Sequence, residues 1–455
     1  MRKWLTTAIG MVLVASAAWV LAQRDESQPV RTATPEGTEP SRTVTWSPPI
    51  EVETGEAIVG PWRANASSWR YVDDPTVAMV RDGHVGVAWV DQSQKDIFFE
   101  VYEPGGSPVR QPVNVSKSPH IFSWLPRVAM TSDPPRHVYV LWQEIVFSGG
   151  SHGGEIFFAR STDGGRTFSR PINLSNTPAG DGKGRLSRTY WHNGSLDLAV
   201  APDGTLHAAW TAYEGLLWFS RSSDGGRSFS APHAVWGRRG EGPARGPSIG
   251  VGDSGHVVLA WSVGDDPEAD IRLASSRDGG RSFGEPRVLF PSRGHADAPK
   301  VALDRGGIVH LVFAESSDGP GGRDHIRYAR SSAGGRTFEA ARRISDPRSE
   351  SASYPALSLD ERGNPYVTWE LFPDRGGRSR GLGFTLSRDG GKSFSAPTVI
   401  PGTDHPGLGF NGSRQGLLMR KLAVGGNGSI AVVNSTFSEG RRSRILLFRG
   451  SRAAK

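Results

Sequence analysis

One phrase recurs along this chain and restricts it to folds built from repeats. Ser161-Thr-Asp163-Gly-Gly-Arg-Thr-Phe168, Ser222-Ser-Asp224-Gly-Gly-Arg-Ser-Phe229, Ser276-Arg-Asp278-Gly-Gly-Arg-Ser-Phe283 and Ser387-Arg-Asp389-Gly-Gly-Lys-Ser-Phe394 share it, and Ser331-Ser-Ala333-Gly-Gly-Arg-Thr-Phe338 is a copy lacking the aspartate. Asp-Gly-Gly reads as the tip of a tight β-hairpin. A short carboxylate can accept nearby backbone N–H groups, and two glycines tolerate φ > 0. The five centres are spaced 61, 54, 55 and 56 residues apart.

Each hairpin closes a larger unit. A first strand leads to an Asp-Gly-type turn (Asp82-Gly83, Asp203-Gly204, Asp253-Ser-Gly255, Asp304-Arg-Gly306, Asp360-Glu-Arg-Gly363 and, in the last unit, Asn427-Gly428). A second strand then ends on Trp89, Trp142, Trp210, Trp261, Phe313 or Trp369, with Asn434 in the last unit. A third strand enters the hairpin and a fourth leaves it. Ile97–Ser116 fits the same frame with Pro104-Gly105-Gly106 in place of Asp-Gly-Gly, giving seven units. Four short strands per 40–60 residues with aromatic punctuation mean propeller blades. The last unit shows only three strands, whereas Thr45-Trp46 through Val52 looks like a spare fourth. An N-terminal strand completing the C-terminal blade would close the ring and remove its open edges. The expected fold is an all-β, seven-bladed propeller of four-stranded blades, with six blades as the alternative.

Ahead of the repeats, Arg2 and Lys3 precede an apolar run from Trp4 to Ala22, which reads as a secretory signal or as a membrane anchor if uncleaved. Gln23–Arg42 is a Pro/Thr/Ser/Glu linker. The expected organisation is therefore signal or anchor over 1–22, linker over 23–44, propeller over 45–449 and a tail over 450–455. The propeller is expected outside the cytoplasm, as a monomer, with membrane contact only through residues 5–22. The chain has no cysteine, which excludes disulfides, thiolate chemistry and cysteine-bound zinc. Its formal charge of +7 suits polyanionic neighbours. The cations are spread through Gly-Gly-Arg turns rather than massed, which argues against nucleic acid.

Ser-x-Asp-x-Gly-x-x-Phe at this spacing resembles the Asp-box (BNR) repeat of the sialidase-like β-propellers, over nearly the whole chain after the linker. The resemblance implies that Asp163, Asp224, Asp278 and Asp389 are fasteners on the outer rim and that each box aromatic packs between blades. It implies a ligand face at the opposite end, where chain segments enter the innermost strands. Sialidases of this family add a cluster of three arginines for a sugar carboxylate, a Tyr nucleophile assisted by Glu, and an Asp acid/base. Arginine suits that grip because its guanidinium pairs with carboxylates bidentately. Here the first unit reads Tyr71-Val-Asp73-Asp74-Pro75, with Asp where the arginine belongs.

Candidate catalytic residues on the expected ligand face are Asp73, Glu241, Tyr190 and Tyr354. Candidate ligand-binding residues are Arg245, Asp74, Trp124, His192, His295 and Asp297. The histidines lie in separate loops without metal-ligand spacing, so neither a metal nor another cofactor is expected. The favoured function is recognition of a glycan, acidic ones included, or of an extracellular protein on the axial face. A sialidase-like exo-glycosidase releasing an acidic sugar is the first alternative, and an envelope assembly factor the second. Fold alone does not separate them.

Overall fold

The computed structural model describes residues 44–146, 154–177, 180–182, 184–185, 191–192, 196–264, 269–290, 295–316, 323–346, 351–373, 377–412, 420–438 and 441–452. The expected signal or anchor and all but the last residue of the linker lie outside them.

Seven antiparallel sheets form the propeller. Blade 1 has strands Val72–Met79, Val85–Asp91, Asp96–Tyr102 and Val113–Asn114; blade 2 has Ser123–Met130, Val138–Glu144, Glu155–Ser161 and Ile172–Asn173. Blade 3 has Leu196–Val200, Leu206–Thr211, Leu217–Ser222 and His233–Trp236; blade 4 has Ala244–Val251, Val257–Val263, Asp270–Ser276 and Arg287–Leu289. Blade 5 has His295–Leu303, Val309–Ser316, Asp324–Ser331 and Arg342–Arg343; blade 6 has Ser351–Leu359, Pro365–Phe372, Leu382–Leu386 and Thr398–Val399. Blade 7 takes Leu422–Val424, Ser429–Ser438 and Arg442–Arg452 from the C-terminus, and Val44–Trp46 and Ile50–Glu56 from the N-terminus. Ile50 pairs with Leu447 and Val44 with Arg452, so the expected closure is present. The last strand runs through Arg452, because Val44–Trp46 supplies a partner for Gly450–Arg452, and these residues belong to the sheet rather than to a tail.

Each innermost strand packs on that of the next blade around the whole ring. The second-strand aromatics point to the preceding blade: Trp89 lies with Ala431 and Val433 of blade 7, and Trp261 with Ala199 and Ala209 of blade 3. Trp89, Trp142, Trp210, Trp261 and Phe313 have no solvent exposure.

The boxes behave as fasteners. In blade 3, Asp224 Oδ1 accepts the N–H groups of Arg227 and Ser228 at 2.9 and 3.1 Å and the Ser222 hydroxyl at 2.7 Å. Its Oδ2 takes the Ser228 hydroxyl at 2.6 Å, and Gly226 N–H donates to Ser222 Oγ. Asp163, Asp278 and Asp389 repeat this pattern. The Ser228 hydroxyl, foremost, holds the Asp224 carboxyl well below its ordinary range.

The fastened turn carries two packing elements against the preceding blade. Phe229 meets Phe158 at 4.9 Å, Phe283 meets Phe219 at 4.8 Å and Phe394 meets Tyr328 at 4.7 Å, all edge-to-face. The second glycine lies under the same ring: at Gly226, φ is +78° and a Cβ would stand 2.7 Å from Phe158. Arginines add a third link, Arg160, Arg221 and Arg330 each donating to the first box glycine's carbonyl in the next blade. Some of the chain's arginines therefore join blades.

Gly226→Ala should destabilise the protein by about 2 kcal/mol or more, from φ strain plus overpacking, as read by denaturant unfolding. Ala333→Asp should do the opposite. Ser331 Oγ already accepts Gly335 N–H at 2.9 Å, and a restored carboxylate would add acceptors for the turn, so a gain of about 1 kcal/mol is expected. No gain would mean that the aspartate contributes nothing in this blade.

Candidate functional site

In a four-stranded antiparallel blade, the turns after the first and third strands lie at one end. The boxes sit there. The entrances to the innermost strands lie at the other end, the expected ligand face. At five entrances the ladder is bulged at an X-Pro pair: Asp74-Pro75, Leu125-Pro126, Gly246-Pro247, Ala298-Pro299 and Tyr354-Pro355. The residue before the proline is left-handed in all five, with φ of 52, 57, 57, 55 and 52°, and only one is glycine. A bulge shifts the side chains that follow it, and Arg127, Ser248 and Lys300 are placed around the axis in this way.

The axis holds a network of charges. Arg420 pairs with Asp197 through Nε–Oδ1 and Nη2–Oδ2, both 2.9 Å. Arg127, whose side chain is 1% exposed, approaches the same carboxylate at 3.9 Å. Burial alone would raise the Asp197 pKa, but Arg420 and then Lys300 hold it below the ordinary range. Burial pushes the Lys300 ammonium down to about 7, against the attraction of Asp197. Nearby, Lys421 bonds Glu370 and, at 2.9 Å, Asn434 Oδ1. The same groups satisfy strand edges: Ile249 N–H donates to Asp197 Oδ2 at 2.8 Å, and Val301 N–H to Ser248 Oγ at 3.1 Å. Below them an axial cavity of about 380 Å³ is walled by the innermost strands, with Lys300 and Arg420 among its lining residues.

Asp73 and Asp74 flank this network. Asp73 accepts the Ser435 hydroxyl, and both acids are buried. Burial first, then Asp73, pushes the Asp74 carboxyl well above its ordinary range, and its Oδ1 meets no hydrogen-bond partner. Burial followed by the same two acids raises Tyr71.

Above blades 1 and 2 lies an aromatic shelf. The segment 57–71, joining the closing strand to blade 1, crosses this face, pinned where Asn65 Nδ2 donates to Ile145 O at 3.0 Å and Phe122 N–H to Asn65 Oδ1 at 2.9 Å. Trp62 stacks on Trp124 at 5.2 Å and meets Trp69 and Phe122, each at 5.1 Å. Trp69 Nε1 donates to Gly60 O at 3.0 Å. Trp62 nevertheless stays 42% exposed, beside Ile58 at 42% and Val59 at 67%.

The sequence candidates are therefore dispersed. Arg245 is not free for a ligand, since Nη2 lies 3.0 Å from Asp297 Oδ2, Nε donates to Asp297 Oδ1 and Nη1 to Gly264 O. His295 Nε2 is 3.8 Å from that same carboxylate. Trp124 is the buried base of the shelf. Tyr354 is half-buried on its bulge, 6.0 Å from Phe372. Glu241 lies off the axis, in a groove on the outer wall between blades 3 and 4. Tyr190 and the His192 side chain lie outside the described residues. Among the described residues no three His, Asp or Glu side chains gather as a metal site. Arg127, Asp197, Lys300, Lys421 and Trp62 were not singled out from the sequence; for Arg127 and Lys300 the available signal was their place directly after the bulge proline.

The fold has relatives of known structure. The chain folds as a seven-bladed β-propeller. It is similar to the polysaccharide lyase Uly1 (10% identity, TM-score 0.53, covering 90% of this chain and 99% of that one). It is also similar to the PL25 ulvan lyase bound to -[GlcA(1-4)Rha3S]- (13%, TM-score 0.50, 88% and 95%). The NanB sialidase from Streptococcus pneumoniae aligns at 10% identity and TM-score 0.47 over 81% and 83% of the two chains. At these identities the likeness is one of fold. No protein-family model and no curated protein sequence matches the chain.

The connection between blades 2 and 3 yields a pH prediction. Asp181 bridges Gly154 of blade 2 and Ala212 of blade 3, and its Oδ2 accepts Trp210 Nε1–H at 2.6 Å. Burial, foremost, with Glu155 and Glu214 further off, raises its pKa to about 7. The folded state thus keeps a proton that the unfolded chain releases near about 4. Stability should fall as pH rises from about 4 through 7 and then level off. Asp181→Asn, which keeps an acceptor for Trp210, should remove that loss. The variant should match wild type at pH 4 and exceed it by about 4 kcal/mol at pH 8, measured by urea unfolding.

Proposed function

We propose that the protein is an exported carbohydrate-binding propeller whose ligand face presents the Trp62 shelf. The observation that carries this reading is an indole held by three aromatic neighbours yet 42% exposed. Exposed aromatic surface on a soluble scaffold marks a binding site, and a rigid ring offers contact area at little entropic cost. Carbohydrate-active proteins share the fold, which supports a carbohydrate partner at the level of class. The apolar run over Trp4–Ala22 supports export.

The glycosidase alternative needs a nucleophile, an acid/base and open cations in one pocket. Among the described residues, Asp73 and Asp74 lie beneath the surface and Arg245 is paired with Asp297, so binding is the better-supported role.

Glycan-array binding by the full-length protein tests the proposal. Trp62→Ala should reduce binding at least tenfold without lowering Tm. Release of fluorophore from a sialoside by wild type would replace this reading with the glycosidase one. Protein partners captured without either sugar binding or turnover would favour the assembly role.

A further inference from the structure

The seven blade boundaries are not equivalent at the outer wall. At the boundary of blades 4 and 5, Arg287, four residues after the box Phe283, reaches across and donates to the carbonyls of Gly335 and Arg336 in the next box. At the boundary of blades 5 and 6, Arg342 stands four residues after Phe338 and donates to Gly391 O and, at 2.6 Å, Lys392 O. These two guanidiniums act as struts. At the boundary of blades 2 and 3 the same position is Ile172, an apolar plug packed on the core. At the boundary of blades 3 and 4 it is His233, too short to be a strut, whose ring packs 5.6 Å from Phe219 and 6.1 Å from Phe283.

His233 lines the groove of about 380 Å³ that runs along this boundary. Its Nε2 is buried without a hydrogen-bond partner. Burial, then Arg238, pulls the imidazole pKa down, so the ring carries one donor and one acceptor at neutral pH. The groove has an apolar floor in Trp236 and Phe283. Trp236 is fixed by Nε1–H donation to Gly242 O at 2.7 Å and by the Arg272 guanidinium 5.8 Å from its ring. The rim alternates donors and acceptors: Arg238 and Arg281 are exposed, as is Glu285, and Glu241 stands at the upper end. An ion pair across it, Arg239 to Glu285 at 3.8 Å, joins side chains 77% and 82% exposed and is worth little.

An aromatic floor, a buried unpaired imidazole nitrogen and a rim of interleaved guanidinium and carboxylate groups match a ring bearing hydroxyls on its edge and C–H groups on its face. We infer that the groove between blades 3 and 4, where His233 stands at the position that the next two boundaries fill with an arginine strut, is a saccharide-binding site on the outer wall. It rests on the carbohydrate reading of the protein but not on the Trp62 shelf, so the two sites can fail separately.

Rebuilding the strut gives the test. His233→Arg should fill the groove and cap the carbonyls of Gly280 and Arg281, as Arg287 and Arg342 do one and two boundaries on. Full-length protein is titrated calorimetrically with tetragalacturonate and with cellotetraose. At least one probe should bind wild type, and His233→Arg should weaken it at least tenfold with Tm unchanged or higher. Arg238→Ala, at an exposed position that folding does not need, should weaken it severalfold. Trp62→Ala should leave this binding in place. The inference is overturned if neither probe binds, or if His233→Arg and Arg238→Ala bind as wild type does. Loss in Trp62→Ala alone would leave the shelf as the site and remove the groove.

Discussion

The contact between a box and the blade before it sustains the ring. A four-stranded blade has two sheet faces and cannot cover either alone, so stability depends on each blade meeting its neighbours. The box supplies that meeting at the outer wall. Asp224 gathers N–H and hydroxyl donors that would otherwise splay the turn, and the tightened turn lays Gly226 and Phe229 on Phe158. The hydrogen bonds themselves are exposed and individually modest. Their value lies in fixing a glycine and an aromatic where a neighbour's ring needs a flat partner. The blade that lacks its aspartate still retains the Ser331–Gly335 bond and the buried position of Gly335.

The axis is organised by a different constraint. The innermost strands turn bare edges toward one another, and their N–H groups need acceptors. Asp197 and Ser248 provide them, and in doing so Asp197 brings a full charge into the centre. Arg420, Arg127 and Lys300 offset that charge, and the X-Pro bulges place two of these three cations. Removing one partner would strand the others in low dielectric, so such a set is held by mutual need. This is why charged residues at the axis of this propeller do not by themselves indicate a substrate pocket.

Blade number, strand order, closure and the fastening role of the boxes were legible in the sequence because each follows from local chemistry repeated at a fixed interval. The candidate site was legible only in part. The five X-Pro entrances are visible in the sequence, but Arg127 and Lys300 stand one residue beyond them, and their partnership with Asp197 and Arg420 joins blades 2, 3, 5 and 7. Nothing local encodes such a meeting. Arg245 illustrates the converse: a candidate ligand contact on the expected ligand face, it is occupied by Asp297 of the next blade. Trp62 went unnoticed because it lies in a segment of no pattern, where a single indole carries no periodic signal.

Absence of pattern is itself informative in a repeat protein. Where the repeat holds, each residue type answers to the packing of two identical neighbours and has little freedom to serve a ligand. Freedom arises where the repeat is interrupted. The segment 57–71 is one such place, joining the closing strand of blade 7 to the first strand of blade 1 with no repeat motif of its own. His233 is a second, at a position that varies from boundary to boundary. The two share a physical signature: polar or aromatic groups held firmly by the scaffold but not consumed by it. Trp62 remains open above three rings, and His233 Nε2 remains unpaired beside a floor that Arg272 and Gly242 hold in place. Groups fixed in that way lose little entropy when a ligand arrives, and a recognition surface built on a propeller needs that property most.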